Sequence, residues 1–294
     1  DRGLAVEDRC TVVAPRYHSV MRFSQKFNGF CHSGDTLFLH FGTCEPLLIE
    51  AMCSATNRAG SEKNGAKELQ GGDFDAVSRA TYQLWNDELA CVDVETDDAD
   101  HKTMFYTALY HAMLMPRNVA DAGEEPRYAG FSAWDTFRTL HPLLALLKPS
   151  RQKAMTRSLY EYEQRGMLHQ GPMTGYRVLA ILLDPYEKQA TDLTIEEIYD
   201  AAETSYERYL KRNGLQPFDT QGYIDALQAE SVSLTTELAY NHWLMSRIAQ
   251  KSSHADQAER WLAGAHNYRN LWDASTEFML PRLGDEVLRN SGEF

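Results

Sequence analysis

YAGFSAWDTFRTLHPLLALL, from Tyr128 to Leu147, decides how the rest of the chain is read. Ser132 is an N-cap candidate, and Asp135 three positions on completes the pattern of a capping box. Phe137, Leu140, Leu144 and Leu147 recur at helical spacing. The spacing predicts a helix over Trp134–Leu147 with one face in a core. Trp134, Asp135 and Arg138 fall in its first turn, close enough in sequence to share a face. Such a trio suits a pyranose: a flat apolar ring lies against its C–H face, and charged forks take its hydroxyls in pairs. The same residues admit a plainer reading, in which Asp135 caps the helix and pairs with Arg138 while Trp134 fills the core.

Composition narrows the partners. The chain has 294 residues, 43% of them hydrophobic and 24% charged, enough for one large domain or two moderate ones. Its net charge of −13 repels phosphate backbones, so no nucleic-acid partner is expected. No apolar run approaches the length of a membrane span. The opening DRGLAVEDRC has no apolar core, so no signal peptide is expected in this sequence. An extracellular or periplasmic location is nevertheless the expectation. The five cysteines, Cys10, Cys31, Cys44, Cys53 and Cys91, form no CxxC pair, which disfavours zinc. One or two disulfides and buried free thiols both remain open.

Working outward, the first part reads as short antiparallel strands: Thr11–Ala14, Tyr17–Phe23, Thr36–Phe41 and Pro46–Met52. Asn28-Gly29 and Ser33-Gly34-Asp35 read as turns. The glycine-rich polar stretch from Ala55 to Gly72 reads as a linker and places a domain boundary at residues 72 and 73. Helices are predicted from Asp73, then over Lys102–Met115, Ser150–Arg165, Gly175–Lys188, Ile195–Arg212, Ser231–Lys251 and Ala255–Trp272. The acids Asp93, Glu95, Asp97, Asp98 and Asp100 precede a helix, where capping and the helix dipole account for them; they lack calcium-loop spacing. His111 and His141 lie on apolar helices and read as core residues.

WDTFRTLHPLL, preceded by FYTALYHAMLMP (Phe105–Pro116), resembles the signature of glycoside hydrolase family 92, calcium-dependent exo-acting α-mannosidases. Gly71–Glu95 is similar to that family's linker helix and following strand. Gly222–Gln250 and NYRNLWD (Asn267–Asp273) resemble its barrel segments. The resemblance implies an α+β multi-domain fold. A partial antiparallel β-sandwich and linker occupy residues 1–72, and an all-α part resembling an incomplete (α/α)6 barrel occupies 73–294. It implies a mannose-containing glycan as partner, α-1,2-type hydrolysis with inversion, and Trp134, Asp135 and Arg138 as the residues that hold the terminal sugar. The sequence departs from the family in GMLHQGPMTGY (Gly166–Tyr176), which is shortened and lacks a tryptophan, and at His242, which stands where an acid is usual.

Inversion needs a protonated carboxyl at the leaving oxygen and a second carboxylate holding water, roughly 6.5–9.5 Å apart. The family's Gly-Asn-Glu-Pro stretch and its Asp-x-Asp segment near Gly-Gln-Met-Ser-Ala-Trp, which supply them, do not occur here. No catalytic residue and no metal ligand is therefore assigned, calcium is expected with ligands mostly outside these residues, and the chain alone is expected to be inactive. Asp135 with Glu230 or Glu237 is the conceivable substitute pair; solvated or structural acids are the plainer reading. Two other functions stay open: a non-catalytic carbohydrate-binding relative, and a helical scaffold or interaction protein.

Overall fold

A computed structural model describes residues 3–8, 17–42, 45–69, 73–166 and 173–289. They fall into two compact units, Asp1–Gly130 and Phe131–Phe294. The expected boundary at residues 72 and 73 lies inside the first unit.

In the first unit, strands β1 (Gly3–Asp8), β2 (Tyr17–Phe23) and β5 (Ile49–Ser54) form an antiparallel sheet in the order β1-β2-β5. Strands β3 (Phe27–Ser33) and β4 (Thr36–Phe41) form a separate hairpin. Asn28-Gly29 is no turn: it lies within β3, where the register shifts between Phe27 and Gly29, as at a bulge. The turn falls at Gly34, whose φ of +56° suits glycine. Phe23, Phe27 and Phe41 pack together, with Phe23 and Phe41 centroids 5.5 Å apart. Thr11–Ala14 lies outside the described residues. Cys31, Cys53 and Cys91 are free thiols, the first two exposed, and Cys10 and Cys44 are outside the described residues.

The stretch read as a linker is a helix, α1 (Arg58–Glu68). Its glycines serve close approach rather than flexibility. A Cβ on Gly65 would sit 2.0 Å from the Met52 sulfur of β5, and one on Gly60 would meet Asp121 Oδ2 at 2.3 Å. Asn57 caps the helix by accepting from the Gly60 N–H at 2.9 Å. Asn64 fastens it: its amide donates to the Cys53 carbonyl at 2.8 Å and to Asp121 Oδ1 at 2.9 Å, and accepts from the Ala122 N–H at 2.7 Å. Burial pushes the Asp121 carboxyl up, but hydrogen bonds with Ser54, Asn64 and Thr56 outweigh it and hold the group below its ordinary value. Helix α2 (Phe74–Leu89) is capped by Asp73, and α3 (Ala99–Met113) by Asp98, which accepts from the N–H groups of Asp100 and His101. The capping reading of that acid therefore holds. His111 is exposed, not a core residue.

The second unit is helical. It contains α4 (Ala133–Thr136), α5 (Leu140–Leu147), α6 (Pro149–Gln164), α7 (Val178–Glu187), α8 (Ile195–Asn213), α9 (Phe218–Gln221), α10 (Ser231–Lys251) and α11 (Ala258–Ala265). The helix expected over Trp134–Leu147 is broken at residues 137–139. Pro142 is the reason: a helix running through it would set its ring against the Arg138 carbonyl and lose an N–H donor, whereas the first turn of α5 tolerates it. The helix expected over Ala255–Trp272 is broken too, into a 3-10 turn, α11 and a second 3-10 turn. Trp272 then pairs as a short strand with Met279. Helix α8 matches its expectation closely, with a Thr194–Glu197 capping box and Gly214 in the left-handed region at its end.

Helices α5, α7 and α10 form one row, and α6, α8 and α11 pack behind it. Antiparallel strands followed by paired helices are the expected α+β architecture, and among the described residues the helices do not close into a barrel. None of the described helices is long and apolar enough to cross a membrane.

His141 is fully buried, with Nδ1 3.0 Å from Gln152 Oε1. Burial, offset in part by Gln152, pushes its pKa from 6.5 down to about 4. The neutral ring thus contributes stability that is whole above about pH 6.5 and is lost as pH falls toward the folded value. Urea denaturation across this range should show a shallower decline in His141→Gln than in the parent. A second expectation concerns α1. Asn64→Ala takes one hydrogen bond from the buried Asp121 carboxylate and leaves the Ala122 N–H without its partner, and should cost about 1–3 kcal/mol in the same assay.

Candidate functional site

The second unit holds a cleft of about 580 Å³ lined by segments of α5, α7 and α10 and by the turn before α5. Phe137 and Arg138 come from that turn, Arg177, Ala180, Asp184 and Glu187 from one stripe of α7 and its cap, and Glu237, Tyr240 and Trp243 from α10. The spacings 177, 180, 184, 187 and 237, 240, 244 are those of helix faces turned to a common space.

Arg177 organises the wall. Its side chain is 4% exposed, and its guanidinium lies 4.7 Å from the Phe137 ring centre and 4.8 Å from that of Tyr240. It forms an ion pair with Glu237. Tyr240 in turn stacks on Trp243, with centroids 5.8 Å apart and planes 17° apart. Phe137, Arg177, Tyr240 and Trp243 therefore form a continuous ladder, and a cation between two ring faces is attracted by both. Burial lowers the Arg177 pKa to about 10, a shift to which the like charge of Arg138 also contributes.

The neighbouring residue locks this arrangement. Tyr176 Oη donates to the buried Glu163 carboxylate of α6. Burial pushes Glu163 up despite that bond, and pushes Tyr176 well above its ordinary value. The Asn241 amide, oriented to satisfy both of its ends, donates to the Tyr176 carbonyl at 2.9 Å and accepts from its N–H at 3.1 Å. A backbone pinned on both sides places Arg177 in the ladder.

Of the three residues singled out by sequence, only Arg138 lines the cleft. Trp134 is 40% exposed and stands with Asp135 on α4, outside the cleft wall. The Ser132 hydroxyl donates to Asp135 Oδ2, a side-chain bond in place of the expected backbone cap. Among the described residues no ion pair joins Asp135 to Arg138; the Arg138 guanidinium lies 5.1 Å from the Phe137 ring centre instead. Glu237 is committed to Arg177, while Glu230 sits at φ +60° before α10. His242 is buried, with Nε2 3.3 Å from Asp219 Oδ1 and edge-on contacts to Phe218 and Trp261. Arg177 and Trp243 were missed by the sequence reading. Their signal was present as an Arg opening the apolar run VLAILL and a Trp three positions after Tyr240.

The resemblance implies calcium. Among the described residues no three His, Cys, Asp or Glu side chains converge as a cation needs, so these residues do not fit the ion by themselves.

The chain thus joins antiparallel strands in its first unit to paired helices in its second, which carry an aromatic and guanidinium-lined cleft. Residues 60–291 match the glycosyl hydrolase family 92 catalytic domain, and the chain belongs to that family. No curated protein matches it. Among solved structures it is similar to a family GH92 inverting mannosidase from Bacteroides thetaiotaomicron, with 24% identity and a TM-score of 0.85 over 98% of this chain and 46% of that one. It is also similar to a family GH92 α-mannosidase from the same organism solved in complex with mannoimidazole, with 24% identity and a TM-score of 0.79 over 94% of this chain and 42% of that one. The GH92 glycosyl hydrolase ccman5 matches with 18% identity and a TM-score of 0.76, over 98% of this chain and 44% of that one. The chain thus spans less than half the length of each, and at these identities the likeness shows the fold.

The Arg177–Glu237 pair yields a stability test. Glu237→Ala strands a buried guanidinium and should cost about 3–5 kcal/mol. The double variant Arg177→Met/Glu237→Leu should recover most of that loss, as read by urea denaturation of all three proteins.

Proposed function

We propose that this chain is the sugar-recognition portion of a glycoside hydrolase that removes terminal α-linked mannose, of α-1,2 type and by inversion. Its membership in family 92 over residues 60–291 carries the reading, and the mannosidase names of its structural neighbours support it. In this reading the exposed Trp134 indole lies against the C–H face of the terminal sugar. Asp135, its rotamer fixed by Ser132, accepts from hydroxyls, and Arg138 donates to them. Calcium belongs to the family's chemistry, and its ligands come mostly from outside these residues. With Glu237 committed to Arg177, the chain by itself binds sugar without turning it over.

Calorimetric titration with mannose and α-1,2-mannobiose, with and without calcium, tests this beside an assay for released mannose. Saturable binding that weakens at least about tenfold in Asp135→Ala, with no release, is the expected result. Absence of binding, or binding indifferent to Asp135, would leave the trio as a capped helix start. Release of mannose by the chain alone would overturn its assignment as the recognition portion.

A further inference from the structure

The charges in the α5–α7–α10 cleft are not balanced. Every carboxylate in its wall already has a cation. Asp184 Oδ2 accepts from Lys188 Nζ at 2.7 Å. Glu187 faces Arg247 at 3.5 Å and Lys251 at 3.4 Å. Glu237 is paired with Arg177. Among the described residues, Arg138 is the wall charge with no carboxylate partner, and it is exposed and repelled by Arg177 beside it. In a chain of net charge −13, this cleft presents a free guanidinium. Beside it stands an indole: Trp243 is 43% exposed although held from behind by Tyr240.

These features select a ligand. A guanidinium fork matches a planar carboxylate in two parallel hydrogen bonds, and a carboxylate there relieves the repulsion between Arg138 and Arg177. An exposed indole on a rigid ladder offers its face to the C–H side of a pyranose. A volume of about 580 Å³ holds one or two such rings. We propose that this cleft binds an acidic sugar residue, a pyranose bearing a carboxylate, with the anion on Arg138 and the ring on Trp243. The site is separate from the Trp134–Asp135 surface and shares only Arg138 with it. It rests on the cleft's own charges and not on the mannoside reading.

The test uses the full 294-residue chain. D-glucuronate and D-glucose, alike in ring but carrying a carboxylate and a neutral hydroxymethyl group respectively at the sixth carbon, are titrated by calorimetry or ligand-observed NMR. Glucuronate should bind at least about tenfold more tightly than glucose, and added salt should erode only that difference. Arg138→Gln should abolish the preference, and Trp243→Ala should weaken both sugars. Both side chains are exposed, and circular dichroism checks that the variants fold. Equal affinity for the two sugars, no binding of either, or a preference that survives in Arg138→Gln would overturn the proposal. Mannose measured alongside reports on the Trp134–Asp135 reading, so either idea fails without the other.

Discussion

Helix α7 is apolar on every side, and the second unit is arranged to cover it. Val178, Leu179, Ile181 and Leu182 are wholly buried, and Ala180 and Leu183 nearly so. A helix without a polar face has no side to give to water, so it must be wrapped all round. Helices α5, α6, α8 and α10 all pack against it. Polar groups are then confined to its ends: Arg177 before the first turn, and Asp184, Glu187 and Lys188 at the last. The cleft lies along the stripe that joins those ends, where a small residue, Ala180, leaves room.

Keeping a guanidinium at the start of such a helix costs solvation, and three contacts offset the cost. The rings of Phe137 and Tyr240 cover its faces, and Glu237 neutralises it. Two buried pairs flank it, Tyr176 with Glu163 and His141 with Gln152. A polar core of this kind is stiff, since moving one member strands another. Stiffness is what a recognition wall needs, because side chains already fixed lose little entropy when a ligand arrives.

The sequence revealed elements whose periodicity is strong and local. Strands Tyr17–Phe23 and Thr36–Phe41 and helix Ser231–Lys251 appear with the expected bounds. It misled where a residue's meaning depends on distant neighbours. The glycines of α1 read as linker because their purpose, contact with Met52 and Asp121, lies elsewhere in the chain. The cleft was hidden for the same reason. Arg177 and Glu237 are sixty residues apart, and nothing local in either marks it as half of a pair. The WDTFR stretch was legible because an aromatic ring, an acid and a guanidinium stand side by side within it, whereas its division was not.

That division follows from Pro142. An unbroken helix would set Trp134 and Arg138 four residues apart on one face. The turn forced at residues 137–139 instead brings Phe137 and Arg138 into the cleft wall and leaves Trp134 and Asp135 on the surface of α4. One short stretch thereby borders two surfaces: the Trp134 indole and the Asp135 carboxylate on one, the Phe137 ring on the other, and the Arg138 guanidinium between them. Arg138, at the hinge between them and free of any carboxylate among the described residues, is the group through which charge on a ligand in the cleft would be felt at the other surface. A backbone break set by one proline, rather than the spacing of the motif, decides which of its residues line the cleft.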